Sequence, residues 1–213
     1  MTIPAGGSTS IWIVIGGTSI SEEDFLSRMK RMCESDPDKM LTVKKERVSN
    51  LLNHTNLVIN DKDIDRAFFW TKANLSMMDL YVPTDTYHRY GLDPDKKTDP
   101  LHGIVAGYPW YTNWFSNDGC YTILGLLSVG HHEPARSHLQ LIGYASQYVN
   151  GNGRILHEVS QSGMNVGLGN IQETPQYIHT LWEYVRWTGD IELASEFYDY
   201  CKMGLFDFLN VDE

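Results

Sequence analysis

The sequence predicts an all-α domain of antiparallel helical hairpins, arranged as an α/α toroid and preceded by a short β remnant. Three observations point there. Apolar residues recur at helical spacing in most segments from Ser21 onward. Short turns alternate with long polar-aromatic loops through the second half of the chain. A single β-branched run, Ile11 to Ile15, stands between Gly6-Gly7 and Gly16-Gly17.

One strand is not stable alone, so residues 11–15 are expected at the edge of a helical body or as the last strand of a preceding β-domain. The run is too short for a membrane span and lacks the basic flank of a signal peptide. Ser21 followed by Glu22, Glu23 and Asp24 reads as an N-cap with acids in the first turn. Phe25, Met29 and Met32 continue that helix and Pro37 is expected to end it. A second helix is expected over about residues 38–53. A third runs from Asp61 to Val82 with Ile64, Phe68, Thr71, Leu75 and Met78 on one stripe, and Pro83 stops it.

Residues 83–117 lack sustained periodicity and hold Pro83, Pro94, Pro100 and Pro109 beside the charged run Asp93 to Asp99. A stretch of this kind inside a compact domain is usually functional. The next helix begins near Asp118, since Cys120, Ile123, Leu124 and Leu127 share a face, and Gly130 closes it. Pro134 suits the first position of a helix that continues through Leu139 and Ile142 to Val149. After a loop rich in Gly and Asn, Pro175 opens a helix with Ile178, Leu181, Trp182 and Val185 on its apolar face. Thr188-Gly189-Asp190 ends that helix, and a last one spans about Ile191 to Leu209. Hairpins stacked side by side put the long loops on a single face, and function tends to follow loops.

Of 213 residues, 42% are hydrophobic, enough for a sizeable core. With 17 basic and 27 acidic side chains, the net charge of -10 repels phosphate backbones and anionic lipid, so neither nucleic acid nor membrane is an expected partner. The basic trio Lys44, Lys45 and Arg47 beside Glu46 reads as a solvated helix face. Cys33, Cys120 and Cys201 are odd in number and show no CxxC spacing, which fits a reducing, cytoplasmic setting without disulfides or zinc. His179 with Glu183, and His131-His132-Glu133, lack a convincingly spaced third ligand, so no metal is expected. The NGNG stretch has no following Lys-Ser/Thr and does not read as a phosphate loop. No cofactor is expected.

Six Trp and twelve Tyr remain, many of them in loops rich in Gly and Asn. Flat rings beside amides and carboxylates suit a pyranose, whose C–H faces stack on the rings while its hydroxyls meet the polar groups. Large aromatics also fill large cores, and for each Trp both readings stand.

The segment AGYPWYTNWFSNDG, followed by CYTILGLLSVGHHEPARSHL, resembles the catalytic domain of amylo-alpha-1,6-glucosidases, the glucosidase part of glycogen debranching enzymes. GNGRILHEVSQSG and QETPQYIHTLWEYVRWTGD look like that family's next loop and helical hairpin. The resemblance is carried mainly by residues 100–210. It implies a partial (α/α)6 toroid over residues 20–213, with residues 1–19 as the remnant of a β-sandwich domain. The family's barrel has six hairpins and this chain has room for about half, so the resemblance implies a truncated glycoside hydrolase that acts on α-glucosidic linkages of oligo- or polysaccharides with inversion. Inversion requires an acid and a base on opposite faces of the sugar. The family's base would lie beyond Glu213.

By the same resemblance Asp118 is the general acid, its proton held by desolvation between walls such as Trp110 and Trp114. An ordinary carboxylate in the first turn of a helix is the plain alternative. Trp110, Tyr111 and Trp114 are expected as sugar platforms or as core. Asn117 stands where the family usually carries Arg and is assigned to substrate. Glu158 is expected to bind hydroxyls or support the acid, or to be a surface glutamate; Glu173 is expected to bind sugar or to cap its helix. The other reading of the whole chain is a non-catalytic glucan-binding or protein-interaction fragment. An incomplete toroid leaves an apolar flank exposed, through which copies could associate.

Overall fold

The computed structural model describes residues 3, 5–17, 21–92, 101–163 and 165–208. The charged run Asp93 to Asp99 and the expected helix end at Leu209 lie outside them. The chain divides into two compact units, Met1–Ser49 and Asn50–Glu213. The protein is mostly helical, as the periodicity predicts.

In the first unit, residues 11–15 form no strand and are largely exposed. A strand exists only through its ladder, and none of the described residues pairs with this run. Helix α1, Glu22–Glu34, starts as expected, with the Ser21 hydroxyl accepting from the Asp24 N–H at 3.1 Å. It stops before Pro37. That proline opens α2, Pro37–His54, where its missing N–H leaves no bond unmade.

The second unit begins with the last turn of α2. In α3, Lys62–Met78, the Asp61 carboxylate caps the N–H groups of Asp63 and Ile64. The expected continuation to Val82 does not occur. Residues Asp79–Tyr81 leave the helix as strand β1, paired antiparallel with β2, His102–Ile104. Nor is the following stretch structureless: a 3-10 helix spans Thr84–Tyr90, and Gly91, at φ 70°, takes the left-handed turn that closes it.

Two helical hairpins form the body of this unit. Helices α4, Ser116–Ser128, and α5, His132–Val149, are joined at Gly130; α6, Glu173–Thr188, and α7, Ile191–Met203, are joined at Gly189. Pro134 is the third residue of α5 rather than its first. A π-helical turn, Gly204–Phe208, follows α7. Ile123, Leu126, Leu139, Ile142, Tyr177, Leu193 and Phe197 are buried where these helices meet. Each contributes about 1.5–3 kcal/mol relative to exposure. The close approach of α5 to α6 and α7 depends on Gly143, where a Cβ would lie 2.3 Å from Phe197. Strands β3 (Trp114–Phe115), β4 (Glu158–Val159) and β5 (Asn165–Gly167) form a small sheet beside the start of α4. Among the described residues no helix is long and apolar enough to cross a membrane.

Candidate functional site

The aromatic loop folds into two parts with opposite orientations. At its tip Gly107 and Tyr111 exchange backbone hydrogen bonds of 3.0 and 2.6 Å, closing a tight turn that contains a cis Tyr108–Pro109 bond. Tyr108, Trp110 and Tyr111 project from this turn at 65%, 87% and 67% exposure. Three flat side chains are thus held in water on a pinned backbone.

The chain then enters β3, whose alternation sorts the next residues. Trp114 and its cross-strand partner Val159 face the core; Asn113, Phe115 and Glu158 face the other way and are half-buried. Trp114 is 0% exposed and meets Tyr90 edge-on at 6.3 Å. Its indole lies so close to Gly103 that a Cβ there would come within 2.2 Å. A ring enclosed in this way cannot stack on a sugar, so the expectation of a Trp114 platform is corrected: it is core. On the opposite face the Asn113 amide donates to the Glu158 carboxylate at 3.1 Å, and the Gln161 amide donates to the Thr112 carbonyl at 3.0 Å. Glu158 is therefore a partly exposed acceptor, oriented beside the aromatic turn by a neighbouring amide.

Asp118 sits in the first turn of α4 and is exposed. The two-ring wall expected around it is absent, because Trp114 turns into the core. Asn117 beside it is half-buried, with its side-chain oxygen enclosed and without a hydrogen-bond partner. The start of α4 is fixed by the Ser116 N–H, which donates to the His157 carbonyl at 2.9 Å.

Glu173 lies inside the protein, at the first position of α6, and is fully buried. One carboxylate oxygen meets His157 Nδ1 at 2.7 Å, and the other accepts the Asn170 N–H at 2.6 Å. Burial pushes this carboxyl up, but the His157 ring, the Asn170 N–H and the first N–H of its own helix together hold it below the usual range. Both oxygens are engaged and enclosed, so the expected sugar contact is corrected to an anchoring role. Glu173 ties the second loop to α6, and His157 carries that tie to Phe115, whose ring it meets edge-on at 5.5 Å.

His138 is a residue that the sequence reading passes over. It is fully buried on α5 and accepts the Ile104 N–H at Nδ1, at 2.9 Å, which places its proton on Nε2. Burial drives its pKa down to about 3, with the Phe115 carbonyl opposing. The first turn of α4 rests on this ring: a Cβ on Gly119 would come within 2.0 Å of Nε2. A histidine within the apolar pattern of α5 was the available signal; its partners on β2 and α4 were not visible from sequence.

Further polar groups lie elsewhere in this unit. His102 Nδ1 meets the Asp79 carboxylate at 3.0 Å across β1 and β2. Lys72, buried, donates to the carbonyls of Leu52 and Thr55, while His131 Nε2 meets the Leu51 carbonyl at 3.2 Å, so both close the end of α2. His179 and Glu183 stand 4.0 Å apart, and no group of three or more potential ligands gathers for a metal among the described residues. Compared with known proteins, the chain matches no protein-family model, no curated protein and no solved structure.

Proposed function

We propose that this chain is the acid-bearing part of a glycoside hydrolase-type (α/α)6 domain that acts on α-glucosidic linkages of oligo- or polysaccharides. The observation that carries the reading is the pinned turn of exposed rings, Tyr108, Trp110 and Tyr111, followed directly by the Asn113–Glu158 pair. Rings supply stacking faces and the amide–carboxylate pair supplies hydroxyl partners, which is the combination a pyranose takes. Asp118, by the resemblance of its loop to amylo-alpha-1,6-glucosidases, is the proton donor to the leaving oxygen. Its exposure in the free protein leaves room for a glucan to cover it and exclude water on binding.

A second reading, glucan binding without hydrolysis, is favoured by the same exposure, since among the described residues no aromatic wall encloses Asp118. Product analysis separates the two. Maltooligosaccharides and a branched glucan are incubated with the protein, and released glucose and anomeric configuration are measured. Release abolished by Asp118→Asn supports hydrolysis. Binding without release, both by this chain and by a longer form that carries the later hairpins, supports the second reading, and neither binding nor release by either removes both.

A further inference from the structure

The proposed sugar site draws its carboxylates from two separate segments, Asp118 in the first turn of α4 and Glu158 on β4. What joins those segments lies one residue before Glu158. Ile155, Leu156 and His157 donate their N–H groups to the Thr174 hydroxyl at 3.1 Å, the Ser146 hydroxyl at 3.0 Å and the Gly167 carbonyl at 3.1 Å. Helix α6, helix α5 and strand β5 thus each fix one residue of the approach. The His157 carbonyl then accepts both the N–H and the hydroxyl of Ser116, at 2.9 and 3.3 Å, two residues before Asp118. Beyond His157 the ladder is weaker, because the register between β4 and β5 shifts between Glu158 and Val159. A strand bulged at that point does not by itself fix the aim of Glu158.

We propose that His157 is a positioning residue of this site, its ring clamped by Glu173 so that its backbone sets Glu158 and Asp118 in place relative to each other. The proposal rests on the sugar-binding reading of that site. The His157 side chain is 35% exposed, so enclosure by its neighbours does not immobilise it. Glu173 does: its carboxylate meets Nδ1 at 2.7 Å, is fully buried, and is itself fixed by the Asn170 N–H. Such a bond to an ionised acceptor is among the stronger ones in a protein. A residue held at its ring and at its N–H has little freedom left to turn its carbonyl away from Ser116. Phe115, the cross-strand partner of Glu158, meets the same ring edge-on, so the clamp touches both strands that carry the site.

Three variants of the full chain separate the clamp from simple packing. His157→Asn keeps a donor at the place of Nδ1 and loses the ring, whereas His157→Phe keeps a ring and loses the donor. Glu173→Met removes the acceptor from the other side without stranding a buried charge. Two quantities are read in each folded variant: hydrogen exchange of the Ser116 amide by NMR without ligand, and affinity for a maltooligosaccharide by calorimetric titration. His157→Phe and Glu173→Met are each expected to speed Ser116 exchange about tenfold or more beyond any change at the Phe197 amide of α7, and to weaken sugar binding by a similar factor. His157→Asn is expected to stay within a few fold of wild type in both. Should His157→Phe fail to fold, Glu173→Met carries the same prediction. Ser116 exchange that rises no more than that of Phe197, or a His157→Asn as impaired as His157→Phe, overturns the clamp irrespective of sugar binding. Sugar affinity that holds while Ser116 loosens overturns the positioning role. A Ser116 amide that responds in a protein that binds no maltooligosaccharide upholds the clamp and overturns the sugar reading instead.

Discussion

Trp110 and Trp114 lie four residues apart in one motif and have opposite fates: the first is 87% exposed and the second is 0% exposed. Position in the backbone, rather than residue type, decides between them. Trp114 begins a strand whose alternation turns it inward against Tyr90 and Gly103, whereas Trp110 sits in a turn with no inward side. The contrast divides the motif into a buried anchor and an exposed turn, the turn that the proposed function assigns to the sugar. It also removes half of the wall expected around Asp118.

The strongest way to break this division is to delete each ring. Trp114→Ala should cost about 3–5 kcal/mol, the range for a large aromatic removed from a core. Chemical denaturation measures it, and a cost below 1 kcal/mol would mean that Trp114 is not an anchor.

The same anchor side carries a pH dependence. His138 titrates near 6.5 when unfolded and near 3 in the fold, so it is held neutral. Its contribution is therefore fully present above about pH 6.5 and lost as pH falls toward 3, at up to about 1.4 kcal/mol per pH unit. His131 acts with the same sign. Burial lowers its pKa, the Leu51 carbonyl opposes, and His54, Lys72 and His132 lower it further. Denaturation midpoints from pH 8 to pH 4 should fall, and His138→Gln should flatten the part of the slope due to that ring. An unaltered slope in a folded variant would contradict the assignment.

Glu173→Gln is smaller in effect. It keeps the shape but removes the charge that meets His157 and the Asn170 N–H, at a cost of about 1–3 kcal/mol. The folded pKa of Glu173 is lowered, so the wild-type advantage holds above the unfolded carboxyl range and disappears as pH falls through the folded value. If the deficit of the variant were the same at pH 7 and at pH 3, the buried carboxylate would have no part in it. Smallest of all on stability is Trp110→Ala, expected within about 0.5 kcal/mol of wild type, because the ring is in water.

What the sequence made legible was local. Ser21 caps α1 with its own hydroxyl as expected, α3 and α7 start where expected although the caps that Asp61 and Asp190 supply were not read, and Gly189 closes α6 in the left-handed region. Each is a short-range device whose signal lies within a few residues. What failed was non-local. Strands of two or three residues are too short to show a period, and β1 and β2 pair across more than twenty residues. That pairing ends α3 at Met78 although the apolar stripe continues to Val82. In the candidate site Trp110, Tyr111 and Asp118 were named from the motif, but Tyr108, the orientation of Trp114 and the burial of Glu173 were not. The last two depend on partners, Gly103 and His157, that only the tertiary fold brings near.

The central claim is that the turn at Gly107–Tyr111 receives a sugar. Titrating the protein with a maltooligosaccharide while recording tryptophan fluorescence, in wild type and Trp110→Ala, tests it most directly. The account predicts a saturable change in the wild type and, in a fully folded Trp110→Ala, a loss of affinity that calorimetric titration with the same sugar records. An unchanged affinity in that variant, or no response in the wild type, would contradict it.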